Sequence, residues 1–180
     1  MAMIVAYSAV WQNSLVWDDH DLIEQWKDIQ SWNNIPLAFT HATNPKYPDT
    51  YRPVRFLVGI ALYSLFSTHP MGYHAVTLGI HCGISILLYL FLKKIIGKTS
   101  PIPFVSALLF GVHPIHVEAI VWISSGIDMM GFFWMMLALT ITVYSTQTKH
   151  RLLALFFAAL SYFSLEITVI LPLLLGLPIS

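Results

Sequence analysis

The sequence predicts an all-α polytopic membrane protein, and three observations predict it. Of 180 residues, 57% are hydrophobic and only 10% charged, whereas soluble domains carry roughly a quarter charged residues. The apolar residues gather in long runs rather than at single spaced positions. The basic residues concentrate in two short loops that hold no acid, Lys93-Lys94-Lys98 and Lys149-Arg151. A small soluble domain leaves much of its surface in water, and this composition has too little polar surface to cover it. Formal net charge is zero, so no bulk field draws the chain to nucleic acid. Cys82, the single cysteine, lies in an apolar run and implies neither a disulfide framework nor a metal site.

A helix that crosses a bilayer needs about 20 apolar residues. Met1–Val16 is the first candidate. It has no basic flank and no clear small-x-small cleavage site before Trp17, so a membrane helix is expected there rather than a signal peptide. Val54–Phe66 is apolar but short, which suits a helix lying at the interface. Tyr73–Leu92, Ile102–Ile123 (interrupted at His113-Pro114) and Met129–Tyr144 are further spans. Leu152–Leu175 contains Glu166 and reads as one tilted helix or two short segments. The expectation is about five to six membrane helices plus short interfacial helices. Because the chain still runs apolar near Ser180, a fragment of a larger protein is expected, with residues 1–180 forming one membrane-embedded region.

Basic short loops stay cytoplasmic. Both lysine-bearing loops therefore face inward, and the turn from His113 to Asp128 faces outward. The polar stretch 17–72 is then an outer loop, and 73–180 supplies the further membrane helices. Six of the nine acids lie in that loop: Asp18, Asp19, Asp21, Glu24, Asp28 and Asp49. Trp17, Trp26, Trp32, Tyr47 and Tyr51 lie there too, as expected at headgroup depth. Asn33–Pro36 and Asn44–Pro48 read as turns, and Asp21–Ser31 as a short helix.

Three features carry chemistry. In Val16-Trp17-Asp18-Asp19-His20 two carboxylates follow the end of an apolar run. Their mutual repulsion and partial desolvation should raise one pKa, which suits a base taking a proton from a hydroxyl. A solvated helix end marking the membrane boundary is the other reading. In Tyr51-Arg52-Pro53-Val54-Arg55 an arginine at headgroup depth can grip a phosphate through two parallel hydrogen bonds, or it can simply snorkel to bulk lipid. In His113-Pro114-Ile115-His116-Val117-Glu118, followed by Trp122 and Asp128, proline breaks a membrane helix. The freed backbone groups and the polar side chains then need either a cavity or hydrogen-bonded packing. The spacing matches no zinc signature, so no metal is assigned. His74 and His81 share a helix face and could line the same cavity.

In this order the motifs, with Gly72-Tyr73-His74 and Trp122-Ile123-Ser124 between and after them, resemble the membrane half of the transmembrane and tetratricopeptide-repeat O-mannosyltransferases. They are similar also to the wider protein O-mannosyltransferase class with its GT-C membrane fold. The run His113–Ala119 is the most specific part. The resemblance implies Asp18 or Asp19 as the catalytic acid–base group, with Arg52 and Arg55 on the donor phosphate. His20, His74, His113, His116, Glu118 and Asp128 are the residues expected to line the cavity. The implied donor is a polyprenyl- or dolichyl-phosphate sugar, usually mannose, with no further cofactor. The implied acceptor is a protein or glycan hydroxyl, and membrane lipid is the remaining partner. Residence would be a plasma membrane in a prokaryote or the endoplasmic reticulum in a eukaryote. Two positions depart from the family: Ile127 stands for the arginine of Gly-Arg-x-Asp-Leu, and Leu165 for the lysine of Ser-Lys-Glu. Their loss keeps an inactive membrane scaffold open as a second reading. A transporter ranks third, since no inverted repeat is visible.

Overall fold

The computed structural model describes residues 2–40 and 50–170, and among these there are helices and no strands. Eight α-helices follow one another: α1 Ala2–Ala6, α2 Leu37–Thr40, α3 Pro53–Phe66, α4 Pro70–Ile96, α5 Ile102–Val112, α6 Val117–Val121, α7 Ile123–Tyr144 and α8 Thr148–Ser164. The expected turn at Asn44–Pro48, with Lys46, Tyr47 and Asp49, lies outside the described residues, as does 171–175 of the last expected run.

Helices α4 and α7 are long and apolar enough to cross a membrane. The chain is thus a membrane protein. The pair α5 and Pro114–Val121 makes a third candidate if it is one span bent by 45°. The bend falls at Pro114, whose ring cannot continue the helix. Proline opens α3 and α4, where a missing N–H costs nothing. Gly97, at φ 117°, closes α4 in a conformation that side chains resist.

Several expected boundaries move. Met1–Val16 is not one helix: α1 gives way to a 3₁₀ turn at Ser8–Gln12 and then to irregular backbone. Ser8, Gln12, Asn13 and Ser14 interrupt the apolar run, and Ser and Asn compete for backbone hydrogen bonds. Asp21–Ser31 splits into a wide helical turn at His20–Gln25 and a 3₁₀ turn at Lys27–Gln30. Helix α7 begins at Ile123, before the expected Met129. Helix α8 ends at Ser164, where extended Leu165 leads into a 3₁₀ turn at Glu166–Ile170.

Packing sets two ends of the bundle. At one end Lys94 Nζ sits 5.8 Å from the Tyr144 ring, and the Tyr144 hydroxyl donates to the Leu90 carbonyl (3.1 Å). The Lys93-Lys94 end of α4 and the Tyr144 end of α7 therefore lie together. Since α7 spans 22 residues, at 1.5 Å rise per residue its Ile123 end is about 30 Å away. There the segment that precedes α3 packs Leu22, Trp26, Ile29 and Ala38 against Phe56 and Ile60 of α3. A second cluster joins Leu15, Ile23, Leu62, Tyr73, Ile123 and Ile127. These two clusters fix that segment and α3 against the start of α7.

Candidate functional site

Trp17 has φ 49°, a left-handed conformation that costs a non-glycine residue of order 1 kcal/mol. Its exposed ring meets Trp122 edge-on, with centroids 5.6 Å apart. This turn sends the next two side chains to different places. Asp19 is fully buried. Its Oδ2 accepts from the Val16 N–H (3.2 Å) and its Oδ1 from the Ser124 N–H (2.8 Å). Trp122 caps α7 without a side-chain bond, so Asp19 satisfies an orphan donor of that helix and places negative charge at its positive end. Burial is the largest influence on Asp19 and raises its pKa, against the backbone donors that lower it.

Asp18 instead lines a cavity of about 290 Å³ with Leu22, Thr50, Arg52, Arg55, Trp122, Ser124, Ser125 and Asp128. That volume is at the small end of ligand clefts, roughly 300–1,000 Å³. Arg52 Nε donates to both Glu166 oxygens (2.9 Å each), and Nη2 lies 2.8 Å from Oε2. Arg52 Nη1 donates to Asp128 Oδ2 at 3.0 Å. Arg55, 8% exposed, donates through Nε to Asp128 Oδ1 and through Nη2 to the Ser124 hydroxyl (2.9 Å). Two guanidiniums thus share two carboxylates at the mouth of α7. Burial opposes the charge on Arg52, but Glu166 and Asp128 outweigh it and its pKa rises. Burial likewise opposes the charge on Glu166, and Arg52 outweighs it, so that carboxyl titrates below its ordinary range.

The other expected cavity residues are distributed differently. His20 is exposed and meets Glu24 at 2.8 Å, and this bond raises its pKa. Glu118 is exposed and does not line the cavity, whereas Asp128 does, together with Asp18. His74 is fully buried. Backbone of Asn13 and Ile120 lies near its ring, yet neither nitrogen has a partner in hydrogen-bond geometry among the described residues. The indole N–H of Trp122 is buried without a partner in the same sense.

His113 and His116 serve the broken span. His113 Nδ1 accepts from the Ile115 N–H (3.2 Å), and the His113 carbonyl accepts from the Tyr7 hydroxyl (2.9 Å). His81 Nε2 bonds the Gly111 carbonyl at 3.0 Å and must carry the proton to do so. His116 stacks in a tilted contact on Phe110, with centroids 4.4 Å apart. No group of three His, Cys, Asp or Glu side chains suited to a metal occurs among the described residues.

The two apolar departures are packed. Ile127 is buried beside Leu15, Ile23 and Tyr73. Leu165 lies close against Gly131, whose missing Cβ would stand 2.7 Å from Leu165 Cβ. Asp128 receives both arginines. Taking Asp128 as the acid of the Gly-Arg-x-Asp run moves the missing arginine from Ile127 to Gly126, where a Cβ would stand 2.3 Å from Thr77 Cγ2. Glu166 is the functional candidate that sequence reasoning missed. Its signal was an acid interrupting an apolar run, which demands a partner.

The chain is 35% identical over 89 residues to human protein O-mannosyl-transferase TMTC1, covering 49% of this chain and 10% of the relative. It is 26% identical over 147 residues to human TMTC4 (71% and 20%), and 29% identical over 128 residues to mouse TMTC3 (66% and 14%). The chain is a homologue of the protein O-mannosyl-transferases. This agrees with the resemblance drawn from the motifs. The chain spans between a tenth and a fifth of the length of these O-mannosyl-transferases. No family model matches it, and no solved structure does.

Proposed function

We propose that this chain is the membrane-embedded front of a GT-C glycosyltransferase. On this reading it acts outside the cytoplasm and crosses the bilayer five times, with α3 at the interface. Donor sugar, mannose in type, arrives on a polyprenyl or dolichyl phosphate. Asp18 takes the proton of an acceptor hydroxyl. The hydroxyl oxygen bonds to the anomeric carbon, the bond from that carbon to the phosphate oxygen breaks, and lipid phosphate leaves. Arg52 and Arg55 stabilise the charge that develops on the phosphate.

One observation carries the reading: Asp18, Arg52 and Arg55 line one cavity, at the end of the bundle away from the lysines, in a homologue of named O-mannosyl-transferases. Asp18 is preferred to Asp19 as the base because both Asp19 oxygens already accept backbone N–H groups. The test replaces Asp18 with asparagine in a full-length homologue carrying these motifs. Transfer from polyprenyl-phosphate mannose should fall by about 10²–10⁴-fold, the usual worth of a general base. Unchanged transfer would reject the assignment.

An inactive scaffold is the second reading, favoured by the apolar packing of Ile127 and Leu165. A scaffold would show no saturable binding of a lipid-phosphate sugar.

A further inference from the structure

We propose that Glu166 is a resident carboxylate that holds the donor-phosphate position on Arg52 and is exchanged for the phosphate when donor binds; this rests on the glycosyltransferase reading. Arg52 presents Nε and Nη2 to the two oxygens of Glu166, all within 2.9 Å. The Nε N–H is shared between both oxygens with Nη2 beside Oε2, so this edge of the guanidinium faces an anion as it would face the oxygens of a phosphate. Asp128 occupies the other side of the same guanidinium through Nη1 and also binds Arg55. It is tied to two cations, whereas Glu166 is tied to one.

The exchange is feasible where Glu166 sits. Its side chain is 42% exposed against 29% for Asp128, so water can receive it. It lies on the 3₁₀ turn that begins after α8 has ended. Such turns are held by poorer hydrogen bonds than α-helix. Arg52, Arg55, Asp128 and Glu166 sum to zero charge. A sugar phosphodiester carries one negative charge, so exchanging it for Glu166 keeps that sum. A donor entering beside an unmoved Glu166 would add an uncompensated anion to a half-buried site.

The experiment measures binding of polyprenyl-phosphate mannose to the full chain in nanodiscs. Binding is read by tryptophan fluorescence, since Trp122 lines the cavity. Glu166→Gln removes the competing charge and should tighten binding on the order of tenfold, equivalent to about 1.4 kcal/mol. Glu166→Asp keeps the charge but shortens the reach to Arg52 and should fall between; it also decides the matter if the glutamine variant does not fold. Wild-type binding that neither variant tightens overturns the exchange and leaves the glycosyltransferase reading standing. No binding by any of the three rejects both. Phosphatidylglycerol, titrated in place of donor, should show no such gain. An equal gain would make the cleft a general phospholipid site and overturn the donor assignment.

Discussion

Adjacent Asp18 and Asp19 should separate cleanly into one group for chemistry and one for structure. Asp19→Asn leaves a single acceptor oxygen where two backbone N–H groups, of Val16 and Ser124, now bond. One buried N–H then faces an amide NH₂, which costs about 1–3 kcal/mol. Removing negative charge from the start of α7 costs a further ~0.3–1 kcal/mol. Relief of the carboxylate's desolvation acts the other way, and a net loss of about 2 kcal/mol follows. For a chain of this size, 1 kcal/mol corresponds to roughly 2–4 °C, so thermal unfolding in mild detergent should begin about 4–8 °C lower. Asp18 is half-buried and lines the cavity. Asp18→Asn keeps the side chain's size and one acceptor oxygen at a half-buried position, so it should move the transition by less than Asp19→Asn does. The refuting result is the reverse order, with Asp18→Asn destabilising and Asp19→Asn neutral. Trp17 would then not divide the pair.

Asp128→Asn removes the negative charge shared by Arg52 and Arg55 and leaves one acceptor oxygen for two guanidiniums, of which Arg55 is buried. A loss of about 3 kcal/mol is expected, the lower end for an uncompensated buried charge, and the Arg55→Gln, Asp128→Asn double variant should recover part of it in the same unfolding assay. Burial raises the Asp19 pKa, so its contribution is full below the unfolded carboxylate range and is lost as pH rises through the folded value. The gap in melting temperature between wild type and Asp19→Asn should therefore narrow from about pH 4 upward. For Glu166 the pKa is lowered. Its contribution is present above the unfolded value and is lost on acidification, so wild type and Glu166→Gln should converge in stability at acid pH. Gly126→Ala would set a Cβ 2.3 Å from Thr77 Cγ2 and 2.9 Å from the Ala119 carbonyl. Overpacking of about 1–3 kcal/mol is expected, measurable by the same melt.

Much of the architecture is legible from hydropathy alone. The runs that became α4 and α7 are apolar because lipid, rather than a partner helix, solvates much of their surface, and Pro114 announces the bend. Basic residues locate one end of the bundle, and the Tyr144–Lys94 contact bears out their grouping. Where hydropathy failed, polar side chains were answered by other segments. Ser124, Ser125 and Asp128 delayed the expected start of α7 to Met129. In the fold Ser124 and Asp128 meet Arg55, and the Ser124 N–H meets Asp19. The division of Asp18 from Asp19 rests on one left-handed backbone angle at Trp17, which no composition encodes. The Arg52–Glu166 pair joins residues 114 apart, beyond the reach of any local pattern.

The histidines show why motif and mechanism must be separated. A proline in a membrane helix frees carbonyls that hydrocarbon cannot solvate, at several kcal/mol each. Here the Gly111 and His113 carbonyls are met by His81 and Tyr7, and His113 turns its ring onto the following N–H. The His113–Ala119 run is therefore held at its bend by its own His113 and by donors from Tyr7 and His81. That bend sets α6 and Trp122 before α7, and Asp19 and Asp128 then fix the mouth of α7 between them. Loss of Tyr7 or His81 would reach Asp18 only through that geometry. On the proposed glycosyltransferase reading the chemistry is confined to the Asp18–Arg52–Arg55 wall, with the histidine run as the support that holds the wall open.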